Sequence, residues 1–96
     1  EIYKTEVKLK SGGYLVINPT EALISIDVNS GKSIKQKNVE STALDTNLEA
    51  AEEIARQIKI RDLSGLIIID FIDMMNFGNR RQIERKLKEK CRKYCS

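Results

Sequence analysis

Two aspartates, Asp27 and Asp70, occupy matching positions at the ends of two apolar segments, residues 22–28 and 66–71. Aspartate is depleted from β-strands, and a carboxylate beside an apolar segment costs free energy unless something pairs with it. Mg²⁺ commonly takes one or two carboxylates together with water and substrate phosphate oxygens. A cation would also relieve the repulsion between two neighbouring carboxylates. The pattern therefore predicts a divalent-metal site for phosphodiester chemistry, although each aspartate capping a nearby loop through backbone N–H groups fits it equally well.

A metal at Asp27 and Asp70 would polarise a phosphate oxygen and help generate hydroxide from water. Asn29 follows Asp27 by two residues and therefore lies on the same side of the strand. Its amide can orient a carboxylate or bind phosphate, or it can simply belong to a turn over residues 29–31. Asp73 is a spare candidate ligand, but three residues beyond Asp70 it is better explained as a loop cap.

Basic residues follow both candidate strands. Lys32, Lys35 and Lys37 lie in the segment after Asp27 and either contact an RNA or DNA backbone near the metal or keep a loop solvated. The sequence Gly-Lys-Ser at 31–33 resembles the end of a phosphate-binding loop. The first glycine of GxxxxGK[ST] would fall at Ile26, however, so we reject a nucleotide-binding loop.

The formal net charge of +3 is unevenly distributed, because residues 79–96 contain eight basic and two acidic residues. Arg80 and Arg81 open this segment, which we interpret as a basic helix. A basic helix on a mildly acidic body suits a polyanion such as RNA, and it is equally typical of a solvated surface helix.

The composition excludes several functional classes. The chain has no histidine and only two cysteines, Cys91 and Cys95, so a structural zinc site is not expected and nucleophilic triads are excluded. We interpret the cysteines as free thiols in a reducing cytoplasm, and we expect a cytoplasmic protein. No signal peptide is visible, and the longest apolar run is far too short to span a membrane.

The 96 residues predict one α/β domain with the element order β-β-β-α-β-α. Residues 31–41 are predicted to be a loop, and a turn is predicted at 18–20. A capping box at Thr46–Glu49 predicts the start of the first helix, which should end near Asp62. The strands are predicted at 2–9, 14–17, 22–28 and 66–71, and the basic helix from about Asn79.

The two apolar strands should be parallel neighbours in a mixed sheet of about four strands. Residues 22–71 form a strand–helix–strand unit, and such crossovers are almost always right-handed with parallel strands. Asp27 and Asp70 would then lie at the carboxyl ends of adjacent strands, where open α/β sheets bind ligands. Both strands are apolar on both faces, which predicts burial on both sides.

Four long motifs resemble the ribonuclease E/G family, and the similarity extends over roughly residues 5–90. The motifs are residues 11–30, 46–51, 53–57 and 61–74. They correspond to the DNase I-like subdomain of that family's catalytic region. The resemblance implies a Mg²⁺-dependent endoribonuclease that hydrolyses single-stranded, A/U-rich RNA and leaves 5′-phosphate ends. It also implies that Asp27 and Asp70 bind the metal and that Asn29 supports them.

The family's OB-fold RNA-binding domain, its 5′-phosphate sensor and its zinc-linking cysteine motif lie outside this subdomain, and Cys91 and Cys95 do not match that motif. We therefore expect residues 1–96 to be one subdomain of a longer catalytic region, with single-stranded RNA and the remaining domains as partners. We expect a homo-oligomer at full length and little or no cleavage by the fragment alone. The alternative is a non-catalytic RNA-binding or assembly module that uses the basic helix.

Overall fold

The computed structural model describes residues 3–31 and 39–95. The predicted order of elements is confirmed. In chain order the elements are β1 (Thr5–Lys8), β2 (Tyr14–Pro19), β3 (Ile24–Asn29), α1 (Val39–Ile60), β4 (Ile67–Asp70) and α2 (Phe77–Cys95).

The four strands form one mixed sheet in the order β1-β2-β3-β4. Strands β1, β2 and β3 are antiparallel neighbours, while β3 and β4 are parallel and are connected through α1. This is the α/β architecture predicted from the sequence. The predicted turn at residues 18–20 is displaced, because Pro19 pairs with Ile24 and the turn occupies 20–23, where the Thr20 hydroxyl donates to the Leu23 carbonyl over 2.8 Å.

One face of the sheet packs against α1. Alternate residues of β2 and β3 point toward the helix, as the two-residue period of a strand requires. On the helix, Ile54 and Ala55 are fully buried, and Leu48 and Ile58 are half-buried. The buried cluster between the sheet and α1 consists of Leu9, Leu15, Ile17, Ile26, Val28, Ala50 and Ile54.

The prediction that β3 and β4 are buried on both faces is wrong. On the face away from α1, Ile68 is 49% exposed, and Leu66, just before β4, is 60% exposed. Asp27 and Asp70 are exposed on the same face. Apolar residues on both sides of a strand show what a strand can pack against, but they do not show that a second layer is present. In the described part of the chain this open face carries no covering element.

The predicted start of α1 at Thr46 is also wrong. The helix begins at Val39, so Thr46 lies two turns inside it and is buried. Ala43 extends the inner face of the helix by one more turn and packs with Met74 and Ile83. This tertiary packing stabilises the extra helical turns despite the polar sequence around them, and it outweighs the capping signal.

The end of α1 falls where the sequence predicts it. The Leu63 N–H donates to the Ile58 carbonyl over 2.9 Å, and the Asp62 N–H donates to the Lys59 carbonyl over 3.2 Å. This pair of bonds is a Schellman motif, which requires a left-handed residue just past the helix. Asp62 supplies it with a φ of 54°.

Helix α2 begins at Phe77, two residues before the predicted Asn79. Asn76 caps it, because its Oδ1 accepts the Asn79 N–H over 3.2 Å. Ile83 is buried on its inner face, with Leu87 and Cys91 half-buried. Glu52 of α1 lies 4.0 Å from the Lys86 ammonium and 3.8 Å from that of Lys90.

Neither described helix has an apolar stretch that would suit a bilayer crossing.

Replacing Asp62 with glycine should stabilise the protein, because glycine adopts positive φ without the steric cost that a Cβ imposes. We expect Asp62→Gly to raise the free energy of unfolding by about 0.5–1 kcal/mol, or a few °C in Tm, in a thermal denaturation experiment. The matched control is Asp45→Gly, at an exposed position inside α1. That variant should be destabilised, and a lower Tm for both variants would contradict the assignment.

Candidate metal centre

Asp27 and Asp70 are direct partners across the parallel pair β3 and β4. Neighbouring strands lie about 4.8 Å apart, and residues opposite one another point to the same face. The two carboxylates therefore project side by side from the open face, at the carboxyl ends of the two strands. This is the placement that the crossover argument predicts, while their role as metal ligands stays a prediction.

Both carboxylates are exposed, and within residues 3–31 and 39–95 neither forms a hydrogen bond or an ion pair. The alternative that they cap loops through backbone N–H groups therefore finds no support in the described residues. Two carboxylates whose oxygens bond to no other described residue, on a face open to water and phosphate, match the share of ligands that proteins commonly give Mg²⁺. The donor set fits this ion.

Asn29 lies one row beyond the aspartate pair on the same face. It pairs with Tyr14 of β2, and β4 ends at Asp70, so no residue of β4 lies opposite Asn29. Its half-buried side chain stands two residues from Asp27, about 7 Å along the strand. It can support the carboxylates or contact a bound phosphate.

The end of β3 is fixed by close backbone contacts. A Cβ on Gly31 would clash with the carbonyl oxygen of Gly12, and a Cβ on Gly13 would lie 2.7 Å from that of Asn29. Only glycine permits such approach. The β1–β2 turn therefore packs directly on the segment that carries Asn29.

The end of β4 is fixed by Asn47 of α1, which is fully buried. Its Nδ2 donates to the Ile72 carbonyl over 2.8 Å, and its Oδ1 accepts the Ile72 N–H over 2.9 Å. One side chain thus satisfies both backbone groups of a residue two positions beyond Asp70. This double hydrogen bond, the Asn47 clamp, joins the crossover helix to the segment leaving the candidate site.

This role of Asn47 was not predicted, because the capping box at Thr46–Glu49 places Asn47 in the first turn of a helix. A signal was present, since Asn47 falls on the helix face that also holds Ala43, Ala50 and Ile54. A buried amide on an apolar face needs hydrogen-bond partners. A segment with unpaired backbone groups, such as the loop after β4, is the kind of partner that can satisfy both ends.

The remaining candidates contribute unequally. Asp73 is exposed and lies beyond the end of β4, and among the described residues no group of three or more acidic or cysteine side chains is arranged around a metal position. Arg80 and Arg81 are exposed in the first turns of α2, and the Arg80 Nε donates to the Met74 carbonyl over 3.1 Å. The proposed RNA contacts Lys32, Lys35 and Lys37 lie outside the described residues.

A mixed α/β sheet with paired acids at the ends of two parallel strands defines a candidate divalent-metal module. The chain belongs to the ribonuclease E/G family, whose family model matches residues 1–94. This confirms the resemblance found in the sequence motifs.

Relatives named ribonuclease E and relatives named ribonuclease G both support the family assignment. Ribonuclease E of Haemophilus influenzae is 51% identical over 90 residues, which cover 94% of this chain and 10% of the relative. Ribonuclease E of Escherichia coli K12 is 52% identical over 90 residues, 94% of this chain and 8% of the relative. Ribonuclease G of Escherichia coli K12 is 48% identical over 84 residues, 88% of this chain and 17% of the relative. The chain thus spans less than a fifth of the length of these proteins.

We expect Asn47→Leu to loosen the end of β4, because it leaves the part-buried N–H and C=O of Ile72 without their Asn47 partners. Each such group costs about 1–3 kcal/mol of stability. Hydrogen exchange of the Ile72 amide should accelerate by more than the loss of global stability explains.

Asn47→Asp keeps the acceptor for the Ile72 N–H and should protect that amide better than Asn47→Leu does. The matched control is Gln57→Leu, which alters another buried amide of α1 whose partners are Glu53 and Arg61. It should change global stability alone. The clamp would be contradicted if Asn47→Leu and Gln57→Leu had the same free energy of unfolding and the Ile72 amide exchanged at the same rate in both.

Proposed function

We propose that this chain is the metal-binding catalytic part of a Mg²⁺-dependent endoribonuclease that hydrolyses single-stranded RNA and leaves 5′-phosphate ends. The observation that carries the proposal is the direct pairing of Asp27 with Asp70 on an open sheet face. Family membership supports RNA as the substrate, since the relatives are named ribonucleases. We further propose that the chain is the DNase I-like subdomain of the family's catalytic region.

In this proposal Asp27 and Asp70 hold the ion, and Asn29 keeps the carboxylates oriented or contacts the scissile phosphate. Mg²⁺, when bound, supplies a Lewis acid for the phosphodiester and lowers the pKa of water. The Asn47 clamp acts as a positioning device, because it fixes the backbone that follows Asp70. Because β3 and β4 are hydrogen-bonded to each other, the Asp27 and Asp70 carboxylates stay close enough to share one ion.

The open face gives an extended polymer access to the ion from outside the sheet. Arg80 and Arg81 supply positive charge beyond the end of β4, and we propose that Lys32, Lys35 and Lys37 add contacts after β3. These contacts hold RNA weakly on their own. Since positioning of the substrate supplies much of the catalytic effect, the isolated chain should bind the metal weakly and cleave little or no RNA.

The intact protein completes the site with its other domains. We propose that these grip the RNA, that the whole enzyme is a homo-oligomer, and that it works in the cytoplasm. A second candidate function is a non-catalytic RNA-binding or assembly module, which the exposed basic residues of α2 favour. It requires RNA binding that is independent of magnesium and unaffected by changes at Asp27.

Substituting Asp27 or Asp70 with asparagine should have opposite effects without and with magnesium. Without metal, either variant should be slightly more stable, by about 1 kcal/mol or less, because two like charges no longer face each other across the strands. With Mg²⁺, the unsubstituted protein should gain thermal stability and both variants should gain none. Thermal denaturation across a magnesium titration measures both effects.

Asp73→Asn is the matched control, since it removes the same charge from the loop after β4. It should keep the full magnesium-dependent gain in Tm. A gain that persists in both Asp27→Asn and Asp70→Asn, or that disappears only in Asp73→Asn, would place the ion elsewhere.

In the protein at its full natural length, Asp27→Asn and Asp70→Asn should each lower the single-turnover RNA cleavage rate by more than about 100-fold, because each removes a ligand of the ion. Asn29→Ala should cost about 10- to 100-fold, as is typical for groups that support metal ligands. Rates should be compared at saturating RNA. Unchanged cleavage in both aspartate variants would favour the non-catalytic alternative.

A further inference from the structure

We propose that the outer face of α2 is a track for single-stranded RNA, on which the Phe77 ring stacks against a base and four basic side chains contact successive phosphates. The basic residues are Arg81, Arg85, Lys88 and Arg92. The inference deepens the proposed function and depends on it for the class of substrate.

Phe77 is the first residue of α2 and is 72% exposed. The Arg80 guanidinium lies over its ring at 5.4 Å from the centroid. Arg80 is itself held, because its Nε donates to the Met74 carbonyl. The ring is therefore supported on one side and exposed to solvent elsewhere, which is the arrangement that a stacking base requires.

The four basic residues lie on one face of the helix. Counting from Phe77, the successive spacings are four, four, three and four residues, which keep all five side chains in one stripe. The stripe is opposite the inner face that holds Ile83 and Leu87. At about 1.5 Å per residue it extends for roughly 22 Å, enough for several nucleotides.

Charge separates this stripe from the rest of α2. Lys86 and Lys90, on the side toward α1, lie within 4.0 Å of Glu52 carboxylate oxygens. Within residues 3–31 and 39–95 no ion pair involves any of the four stripe residues. The two acids of the helix, Glu84 and Glu89, flank the stripe at three- and four-residue spacings from its basic members, but within the described residues neither forms an ion pair with them. The stripe therefore offers an external polyanion four basic side chains and, with both acids counted, a net charge of +2.

The track also lies within reach of the candidate metal centre. Only residues 71–76 separate the end of β4 at Asp70 from Phe77. Seven residue steps span no more than about 25 Å, and the Asn47 clamp holds the second of them. An RNA strand that crosses the open face at Asp70 can therefore continue onto the track.

The stacking step is tested in the protein at its full natural length, in EDTA, with a short single-stranded RNA that contains 2-aminopurine. Stacking quenches the fluorescence of this base. Phe77→Ala should weaken binding by roughly 5- to 150-fold and abolish the quenching of the bound state. Phe77→Leu should do the same. Phe77→Tyr should keep both the RNA affinity and the quenching, since it keeps an aromatic ring at an exposed site.

The phosphate step is tested by the salt dependence of binding. The double variant Arg85→Gln, Arg92→Gln should reduce the slope of log affinity against log salt by about 1.4, because each single-strand phosphate contact contributes about 0.7. The matched control Lys10→Gln, Lys59→Gln removes equal charge from exposed positions elsewhere and should leave the slope unchanged. Phe77→Ala should also leave it unchanged.

The proposal is overturned if Phe77→Ala and Phe77→Leu keep quenching and affinity, or if both charge variants change the slope equally. It is also overturned if the Phe77 variants lose thermal stability and keep RNA affinity, since the ring would then contact protein. These measurements contain no divalent metal, so they stand apart from the metal assignment. Loss of magnesium binding and cleavage in the Asp70→Asn variant tests that assignment separately.

Discussion

The parallel pairing of β3 with β4 is the constraint on which the rest depends. Its register sets Asp27 opposite Asp70, so two negative charges share one face at a strand separation of about 5 Å. The fold tolerates this repulsion because the face is open to water, where the interaction is screened. The same openness leaves the carboxylate oxygens available to an ion and to a substrate.

The surrounding structure holds this pair from the opposite face. The cluster between the sheet and α1 fixes the strands, and the Asn47 clamp fixes the chain beyond Asp70. Close approach of Gly13 and Gly31 fixes the chain around Asn29. The side of the sheet that does the proposed chemistry therefore carries few stabilising contacts, whereas the side away from it carries the core. Helix α2 follows β4 in the chain and carries the positive charge that the proposed RNA binding needs.

Much of this arrangement was predictable from local sequence, because the strand–helix–strand order limits how two apolar strands can pair, and that limit placed Asp27 beside Asp70. The errors came from tertiary effects. Thr46 has the sequence of a helix cap, but packing of Ala43 extended the helix past it. Ile68 has the sequence of a core residue, but no described layer covers its face. Asn47 lies on an apolar helix face, which indicates that its amide needs partners, but the segment that supplies them is 25 residues away and depends on the tertiary fold.

The most direct test of the central claim is a crystal structure of the protein with Mn²⁺ in place of Mg²⁺, located by its anomalous scattering. We expect one strong peak between the two strand ends, about 2.0–2.2 Å from an oxygen of Asp27 and from an oxygen of Asp70. A peak bound by Asp73 or by other acids, with these two carboxylates left without an ion at saturating Mn²⁺, would contradict it.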